Sequence, residues 1–214
     1  MMSSDDFDVA RIVPSMRDLP AGLSMRRRSL ALIAALGGDD GDASLGDVAR
    51  LEETVRGYST AATGPELRLL ARATKDLPVL ATAPCRSALD CQRNRYFGAD
   101  GVCIDPSQGT HWEELLGVAR SMRMMPLVLV PSVAEAAGLA ASEARAFVLH
   151  GGIEHVLAAS TLFQKAAVLV VDWSTATPDA ADLRALSGHV DAVLVSAACH
   201  RDEAFEALVA ELDA

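Results

Sequence analysis

Two histidines and three aspartates follow apolar segments of this 214-residue chain, where buried strands would end: Asp39, Asp105, His150, Asp172 and His200. Three of them, Asp105, His150 and Asp172, are of the types that bind a divalent metal, and His150 beside an aspartate is a pairing suited to acid/base chemistry. The structural alternative is that the aspartates cap the following loops or helices and that His150 is a satisfied polar residue. Because the spacing matches no metal motif, we expect the structural role, no metal site and no cofactor.

Hydroxyl groups in the loops after the last two apolar segments, "WSTATP" and "SAACHRD", are the candidates for binding a phosphate. Ser174, Thr175 and Ser196 supply them, but neither loop contains the glycine that lets a backbone approach a phosphate closely. Phosphate binding at these loops therefore stays open. Thr82, at the end of an earlier strand, and Trp173 are further candidate ligand contacts. Trp173 would fill the binding pocket if its ring points inward.

The four cysteines are Cys85, Cys91, Cys103 and Cys199. They form no C-x-x-C pair and match no zinc module. We therefore expect free thiols, with a redox or nucleophilic role for Cys85 as the alternative because it lies near a predicted strand end.

The elements that position these residues alternate as strand and helix along the chain. The predicted strands are continuous apolar runs without alternation, which is typical of strands buried on both faces of a parallel sheet. Eight such units predict a (β/α)8 TIM barrel over residues 25–214, preceded by an N-terminal arm or short helix over residues 1–24. The rival is a doubly wound open sheet, but no G-x-G-x-x-G follows the first strand. The strands are SLALIAAL, VRGYSTA, LPVLAT, ADGVCID, PLVLVP, RAFVLHG, AAVLVVDW and VDAVLVSA.

Composition and charge narrow the range of partners. The net charge is −10 and half of the residues are hydrophobic, but only 4% are aromatic. An acidic surface repels nucleic acid and anionic lipid, and the apolar runs are too short to span a bilayer. Since the first residues lack a signal-peptide pattern, we expect a cytoplasmic protein that binds neither nucleic acid nor membranes.

Three segments carry a resemblance to a known family: "GLSMRRRSLALIAALGG", "LPVLATAPCRSALDCQRNRYFGADGVCID" and "VVDWSTATPDAADLRALSGHVDAVLVSAA". They resemble the first strand, the third and fourth strands, and the seventh and eighth strands of indole-3-glycerol-phosphate synthase. That family belongs to the ribulose-phosphate-binding barrel superfamily. The resemblance covers roughly residues 25–210 and implies the same barrel.

The family closes and dehydrates a phosphorylated anthranilate derivative to form an indole ring, and its mouth carries two catalytic lysines and two glutamates, with an asparagine and a further glutamate for the substrate. The resemblance places Thr82 where the general-acid lysine belongs. In the first strand the Glu and Lys positions fall on Ala35 and Gly37. The glutamates of the fifth and seventh strands correspond to Val130 and Trp173. The remaining two positions, the asparagine and a glycine of the phosphate loop, fall near His150 and on Thr175.

These replacements remove each named catalytic group, so the first hypothesis is a pseudoenzyme that binds a protein partner or a small phosphorylated ligand. The second is an active enzyme of the family that uses other residues, of which Lys75, Arg86 and Glu135 are the nearest candidates. The third is a barrel enzyme with different chemistry, based on Asp105, His150, Asp172 and His200.

Overall fold

The computed structural model describes residues 7–19, 23, 30–36, 41–108, 111–175 and 178–212, and its strands form a closed parallel barrel. Each strand pairs with the next in the chain, and the eighth pairs with the first through the register Ala31 to Ala192. A helix follows each strand. The predicted (β/α)8 barrel is therefore confirmed.

The strands are β1 (Ala31–Leu36), β2 (Gly57–Thr60), β3 (Val79–Cys85), β4 (Gly101–Ile104), β5 (Met125–Val130), β6 (Ala146–Leu149), β7 (Val168–Trp173) and β8 (Ala192–Val195). The helices are α1 (Gly41–Leu51), α2 (Gly64–Ala73), α3 (Ala88–Tyr96), α4 (Trp112–Ser121), α5 (Val133–Ala140), α6 (Ile153–Ser160), α7 (Ala180–Leu186), α8 (Ala197–Arg201) and α9 (Phe205–Leu212). Short 3-10 turns span Val9–Arg11 and Pro106–Gln108.

Alternation along each strand separates two hydrophobic clusters. In β1, Leu32 and Ala34 belong to the outer cluster, which packs the barrel against its helices. Ala31 and Ile33 belong to the inner cluster, which fills the barrel. The same alternation decides which strand-end side chains reach the mouth of the barrel, because successive side chains point to opposite faces of a strand.

Strand β3 is longer than the predicted LPVLAT and contains an irregularity. Its pairing with β4 shifts register between Ala81 and Cys85. A bulge of this kind releases a strand from regular hydrogen bonding, which accommodates Pro84. The bulge lies at the carboxyl end of β3, beside the mouth.

The N-terminal segment closes the opposite end of the barrel. Leu19 and Leu23 are fully buried members of the inner cluster. Glycines at the starts of two strands leave room for Leu19: a Cβ on Gly101 would lie 2.7 Å from Leu19 Cδ2, and one on Gly57 would lie 3.8 Å from Leu19 Cδ1. Leu19 and Leu23, two described residues of the stretch that the sequence analysis assigns to an arm, thus fill the bottom of the barrel.

A buried carboxylate fastens this segment. Asp100 is 2% exposed and its Oδ1 accepts a hydrogen bond of 2.6 Å from Ser15 Oγ. It forms ion pairs with Arg17 at 3.3 Å and with Arg95 at 2.9 Å. Its other oxygen accepts the Val79 N–H at 3.0 Å, at the start of β3. These bonds join the N-terminal segment, α3 and two strands.

Among the residues that the structure describes, none lies in a helix long and apolar enough to cross a membrane.

Replacing Gly101 with alanine tests the fit of Leu19 into the barrel bottom. The new methyl group would meet Leu19 Cδ2 at 2.7 Å and Leu80 Cδ1 at 3.1 Å. Overpacking of this kind lowers the free energy of unfolding by about 1–3 kcal/mol, measurable by urea denaturation. The matched control is Gly117→Ala, inside α4, where nothing lies within 4 Å of the new methyl group. That variant should gain about 0.5–1 kcal/mol. Equal stabilities for the two variants would contradict the described packing.

Candidate functional site

A cavity of about 450 Å³ opens at the carboxyl ends of the strands, where enzymes of this fold hold their active sites. It lies on the side of the barrel formed by β1, β2, β3 and β7. The residues that line it are Ala35, Leu36, Ser59, Thr60, Ala61, Ala62, Glu66, Thr82, Asp172 and Ser174. Among the described residues, this lining contains two carboxylates and four hydroxyls but neither lysine nor arginine.

Asp172 and His150 approach each other beside this cavity. Asp172 lies on the inner face of β7, and its Oδ1 accepts a hydrogen bond of 2.9 Å from the Ser174 N–H. Its Oδ2 is 3.7 Å from Nδ1 of His150, which directly follows β6. The Asp172 and His150 side chains are 22% and 41% exposed, and Asp172 is the one of the two in the described lining of the cavity. The structure thus brings together the His/Asp pair that the sequence proposed.

Asp105 is occupied by its own loop. Its carboxylate accepts hydrogen bonds from the Ser107 N–H at 2.9 Å, from Ser107 Oγ at 2.6 Å and from Gln108 Nε2 at 2.7 Å. Burial acts to raise the pKa of Asp105, but these hydrogen bonds and the charge of Arg86 outweigh it and hold the pKa below its usual range. Asp105 therefore has the capping role that the sequence analysis preferred.

The metal hypothesis finds no support in the described part of the chain, where no group of three or more His, Cys, Asp or Glu side chains is placed to hold an ion. Asp105, His150 and Asp172 are not brought together as ligands. Asp39 lies outside the described residues.

His200 lies outside the barrel wall rather than in the mouth. It is fully buried between α1, β1 and α8, with Nε2 2.8 Å from the Ala35 carbonyl oxygen and Nδ1 3.2 Å from Arg50 Nη2. Since Arg50 can only donate, Nδ1 accepts and Nε2–H donates to Ala35, which is the neutral imidazole. Burial, assisted by the charges of Arg50 and Arg201, lowers the pKa of His200. His200 therefore links α1, β1 and α8 through its contacts with Arg50 and Ala35, and it has no access to a ligand in the mouth.

The three candidate phosphate-binding hydroxyls have different positions. Ser174 lines the cavity, and Thr175 is exposed in the same loop. Ser196 caps α8, where its hydroxyl accepts the Cys199 N–H at 3.0 Å. The backbone N–H of Ser174 is already bonded to Asp172. Of these three hydroxyls, the one of Ser174 therefore belongs to the described lining of the cavity.

The interpretation of Trp173 and Val130 as the mouth positions of β7 and β5 is corrected by the strand register. Both side chains belong to the outer cluster, and Trp173 donates its indole N–H to the Gly151 carbonyl oxygen at 2.9 Å. Because side chains alternate, the inward positions are one residue earlier, at Asp172 and Leu129. Trp173 therefore packs between barrel and helices, and the seventh strand keeps a carboxylate in the mouth.

Glu66 is a lining residue that the sequence analysis missed. It lies in the first turn of α2, directly after the β2 loop, and it reaches the cavity from there. Glu66 could have been predicted from the sequence, because the first turn of a helix that follows a barrel strand lies at the mouth. Candidates for the mouth were sought in the sequence only among the residues that directly follow each strand.

All four cysteines are buried and free. Cys85 Sγ accepts a hydrogen bond of 3.3 Å from Asn94 Nδ2. A hydrogen bond with the Cys91 thiol is the main cause that lowers the pKa of Cys85, and Asn94 adds to it against the effect of burial. Burial raises the pKa of Cys103, inside the barrel, and of Cys199. The cysteines lie outside the lining of the mouth cavity.

Comparison of the chain with models of known protein families finds no family that matches. A search of curated proteins also finds no match. The case for a function therefore depends on the fold and on the geometry of the mouth.

The buried neutral His200 predicts acid sensitivity. The folded-state pKa lies below the unfolded value of about 6.5, so the unfolded chain binds the proton first as the pH falls. The contribution of His200 to stability is complete above about pH 6.5 and is lost as the pH falls toward the folded-state pKa. A His200→Gln variant cannot titrate there, and its amide can still donate to Ala35.

Urea denaturation at a series of pH values measures this effect. The stability difference between the wild type and His200→Gln should shrink as the pH falls below about 6.5. A His189→Gln variant is the control, because His189 is exposed, and it should keep the pH profile of the wild type. Parallel profiles for the wild type and His200→Gln would show that His200 does not titrate as described.

Proposed function

We propose that the chain is a re-purposed, noncatalytic relative of indole-3-glycerol-phosphate synthase, which keeps the barrel and binds a small ligand in its mouth. The resembling segments support this proposal, since they coincide with β1, with β3 to β4 and with β7 to β8 of a closed barrel. A protein partner that docks over the mouth, or a small phosphorylated ligand, is compatible with the same proposal.

The observation that carries it is the chemistry of the inward positions at the mouth. These positions hold Ala35 in β1, Thr82 in β3 and Leu129 in β5. Methyl, hydroxyl and isobutyl groups cannot exchange the protons that the family reaction requires. Each general acid or base contributes about 10²- to 10⁴-fold to a rate, so the combined loss abolishes that reaction.

The residues that the sequence analysis named as possible replacements for the catalytic lysines and glutamates do not supply an acid or base in the mouth. Lys75 follows α2 at the far end of the barrel, and its Nζ is 3.1 Å from Glu52 Oε2. Glu135 accepts a hydrogen bond from Ser132 at the start of α5. Arg86 lies on the surface near Asp105 and remains protonated at any working pH. The Asp172 carboxylate retains an acidic group at the seventh strand, but without a lysine partner in the described lining.

The test is an assay of the purified full chain for indole-3-glycerol phosphate formation from the phosphorylated anthranilate derivative. We expect no product under conditions in which an authentic synthase, run in parallel, completes the reaction. Product formation that depends on the purified chain would overturn the proposal.

A second candidate function is favoured by the approach of His150 to Asp172. A partly exposed imidazole beside a carboxylate is a pairing used in general-base chemistry, and the 3.7 Å between Nδ1 of His150 and Oδ2 of Asp172 would have to shorten to a hydrogen bond for Asp172 to orient the ring. If this pair is catalytic, any turnover by the chain should fall by about 10²- to 10⁴-fold in His150→Gln and in Asp172→Asn. The control is His155→Gln, which removes an imidazole from α6 instead of the one that approaches Asp172. Turnover that survives both variants would exclude the pair.

A further inference from the structure

We infer that the mouth cavity binds a small organic cation that carries hydroxyl groups, of the amino-sugar class, with Asp172 and Glu66 facing the ammonium group and Ser59, Thr82 and Ser174 facing the hydroxyls. The inference rests on the proposed function only in placing the ligand in the mouth. It concerns the charge of that ligand, which is opposite to the charge that the resemblance implies.

The charge of the cavity is the first observation. Asp172 and Glu66 both line it, and its described lining holds no lysine or arginine. Glu66 has no ion-pair partner among the residues that the structure describes. Asp172 accepts the Ser174 N–H through Oδ1 and has the His150 ring 3.7 Å from Oδ2, so neither carboxylate is neutralised by a described lysine or arginine. Two carboxylates in one pocket attract a cation and repel a phosphate, within a chain whose net charge is −10.

Ser59 is an independent observation that points to a ligand. The residue is 1% exposed, lies on β2 and lines the cavity. Its hydroxyl makes no hydrogen bond to another residue of the described segments, whereas its neighbour Thr60 accepts the Ala62 N–H at 3.0 Å. No fully enclosed side-chain nitrogen or oxygen in those segments lacks a partner, so the Ser59 oxygen opens onto the cavity. A buried hydroxyl of this kind is completed by a ligand oxygen or a water molecule.

The groups that would bind a phosphate are engaged elsewhere. The Ser174 N–H bonds to Asp172, and the Ser196 hydroxyl caps α8. Two basic side chains described near the mouth are His150, 3.7 Å from Asp172, and Arg86, beside Asp105, and neither belongs to the described lining of the cavity. A phosphate in this cavity would therefore meet two carboxylates, and the described lining offers it hydroxyl donors but no lysine or arginine.

The size and lining of the cavity fit a single sugar ring. Its volume of about 450 Å³ lies within the range of small-molecule pockets. Hydroxyl side chains from β2 (Ser59), from β3 (Thr82) and from the loop after β7 (Ser174) line the cavity that the ring would occupy. A ligand of that size held by a few polar contacts is expected to bind with a Kd in the millimolar range.

Three probes that share one ring and differ in charge test the inference: glucosamine, glucose and glucose 6-phosphate. Binding to the full chain is measured by titration calorimetry and by amide chemical-shift changes. We expect glucosamine to bind most tightly, glucose more weakly and glucose 6-phosphate not at all. Glucosamine affinity should also fall with added salt, because screening weakens the ion pairs.

Charge-neutral variants locate the binding groups. Asp172→Asn and Glu66→Gln should each weaken glucosamine binding about tenfold, since a hydrogen bond to a charged group is lost, and should change glucose binding little. Asparagine at position 172 still accepts the Ser174 N–H, and Glu66 is exposed, so both variants should fold. The matched control is Glu53→Gln, which removes the same charge from an exposed residue at the far end of the barrel and should leave binding unchanged.

Ser59→Ala separates a role in ligand binding from a role in stability, because a purely structural residue would change thermal stability when it is replaced. It should weaken glucosamine and glucose alike, while the free protein keeps its thermal stability because no internal hydrogen bond is broken. The inference is overturned if glucose 6-phosphate binds more tightly than glucosamine, or if glucosamine does not bind. It is also overturned if Glu53→Gln weakens glucosamine binding as much as Asp172→Asn and Glu66→Gln do. None of these results restores indole formation, so the failure of the inference is distinct from a failure of the proposed function.

Discussion

The buried carboxylate of Asp100 connects more of the barrel than any other polar group described above. It accepts hydrogen bonds from Ser15 and from the β3 backbone, and it pairs with Arg17 and Arg95. A charge removed from water is tolerated only when its oxygens are fully satisfied. The buried position of Asp100 therefore depends on Ser15 and Arg17 lying against the bottom of the barrel. The same contacts hold these two residues of the N-terminal segment in place.

This constraint has a direct effect on the interior. Arg17 also reaches the Leu77 carbonyl at 2.8 Å and the Ala71 carbonyl at 2.7 Å, so the segment is bound along the end of α2 as well as to Asp100. From that anchored position Leu19 enters the barrel over Gly57 and Gly101. The lower part of the interior is consequently apolar and filled, whereas the carboxyl end keeps a polar cavity. The barrel thus divides into a bottom that stabilises the fold and a mouth that is free to bind.

At the mouth, the residues that face the cavity decide what it can bind. Its described lining holds hydroxyl side chains and the carboxylates of Asp172 and Glu66, but no lysine or arginine. On the inference drawn above, such a cavity favours a neutral or positive ligand over a phosphate. Thr82, on β3, contributes a hydroxyl to that lining.

The sequence by itself determined the fold class, because continuous apolar runs alternating with amphipathic helices are compatible with few architectures besides a parallel barrel. It also placed His150 and Asp172 at consecutive strand ends, which are neighbours in this fold, and it favoured a capping role for Asp105 over metal or acid/base chemistry. It did not determine which of two adjacent residues faces the mouth. A strand buried on both faces has no polar alternation to mark its register, so the resemblance aligned Trp173 and Val130 with the glutamates of the mouth, whereas Asp172 and Leu129 are the inner positions.

Contacts distant in sequence were likewise decided only by the tertiary structure. The bond from Ser15 to Asp100 joins residues 85 positions apart, and the bond from His200 to Ala35 joins residues 165 apart. No local pattern records such a pairing. The physical reason is that burial and register are properties of the closed barrel, so the side chains that meet in its mouth and at its bottom are selected by packing rather than by their neighbours in the chain.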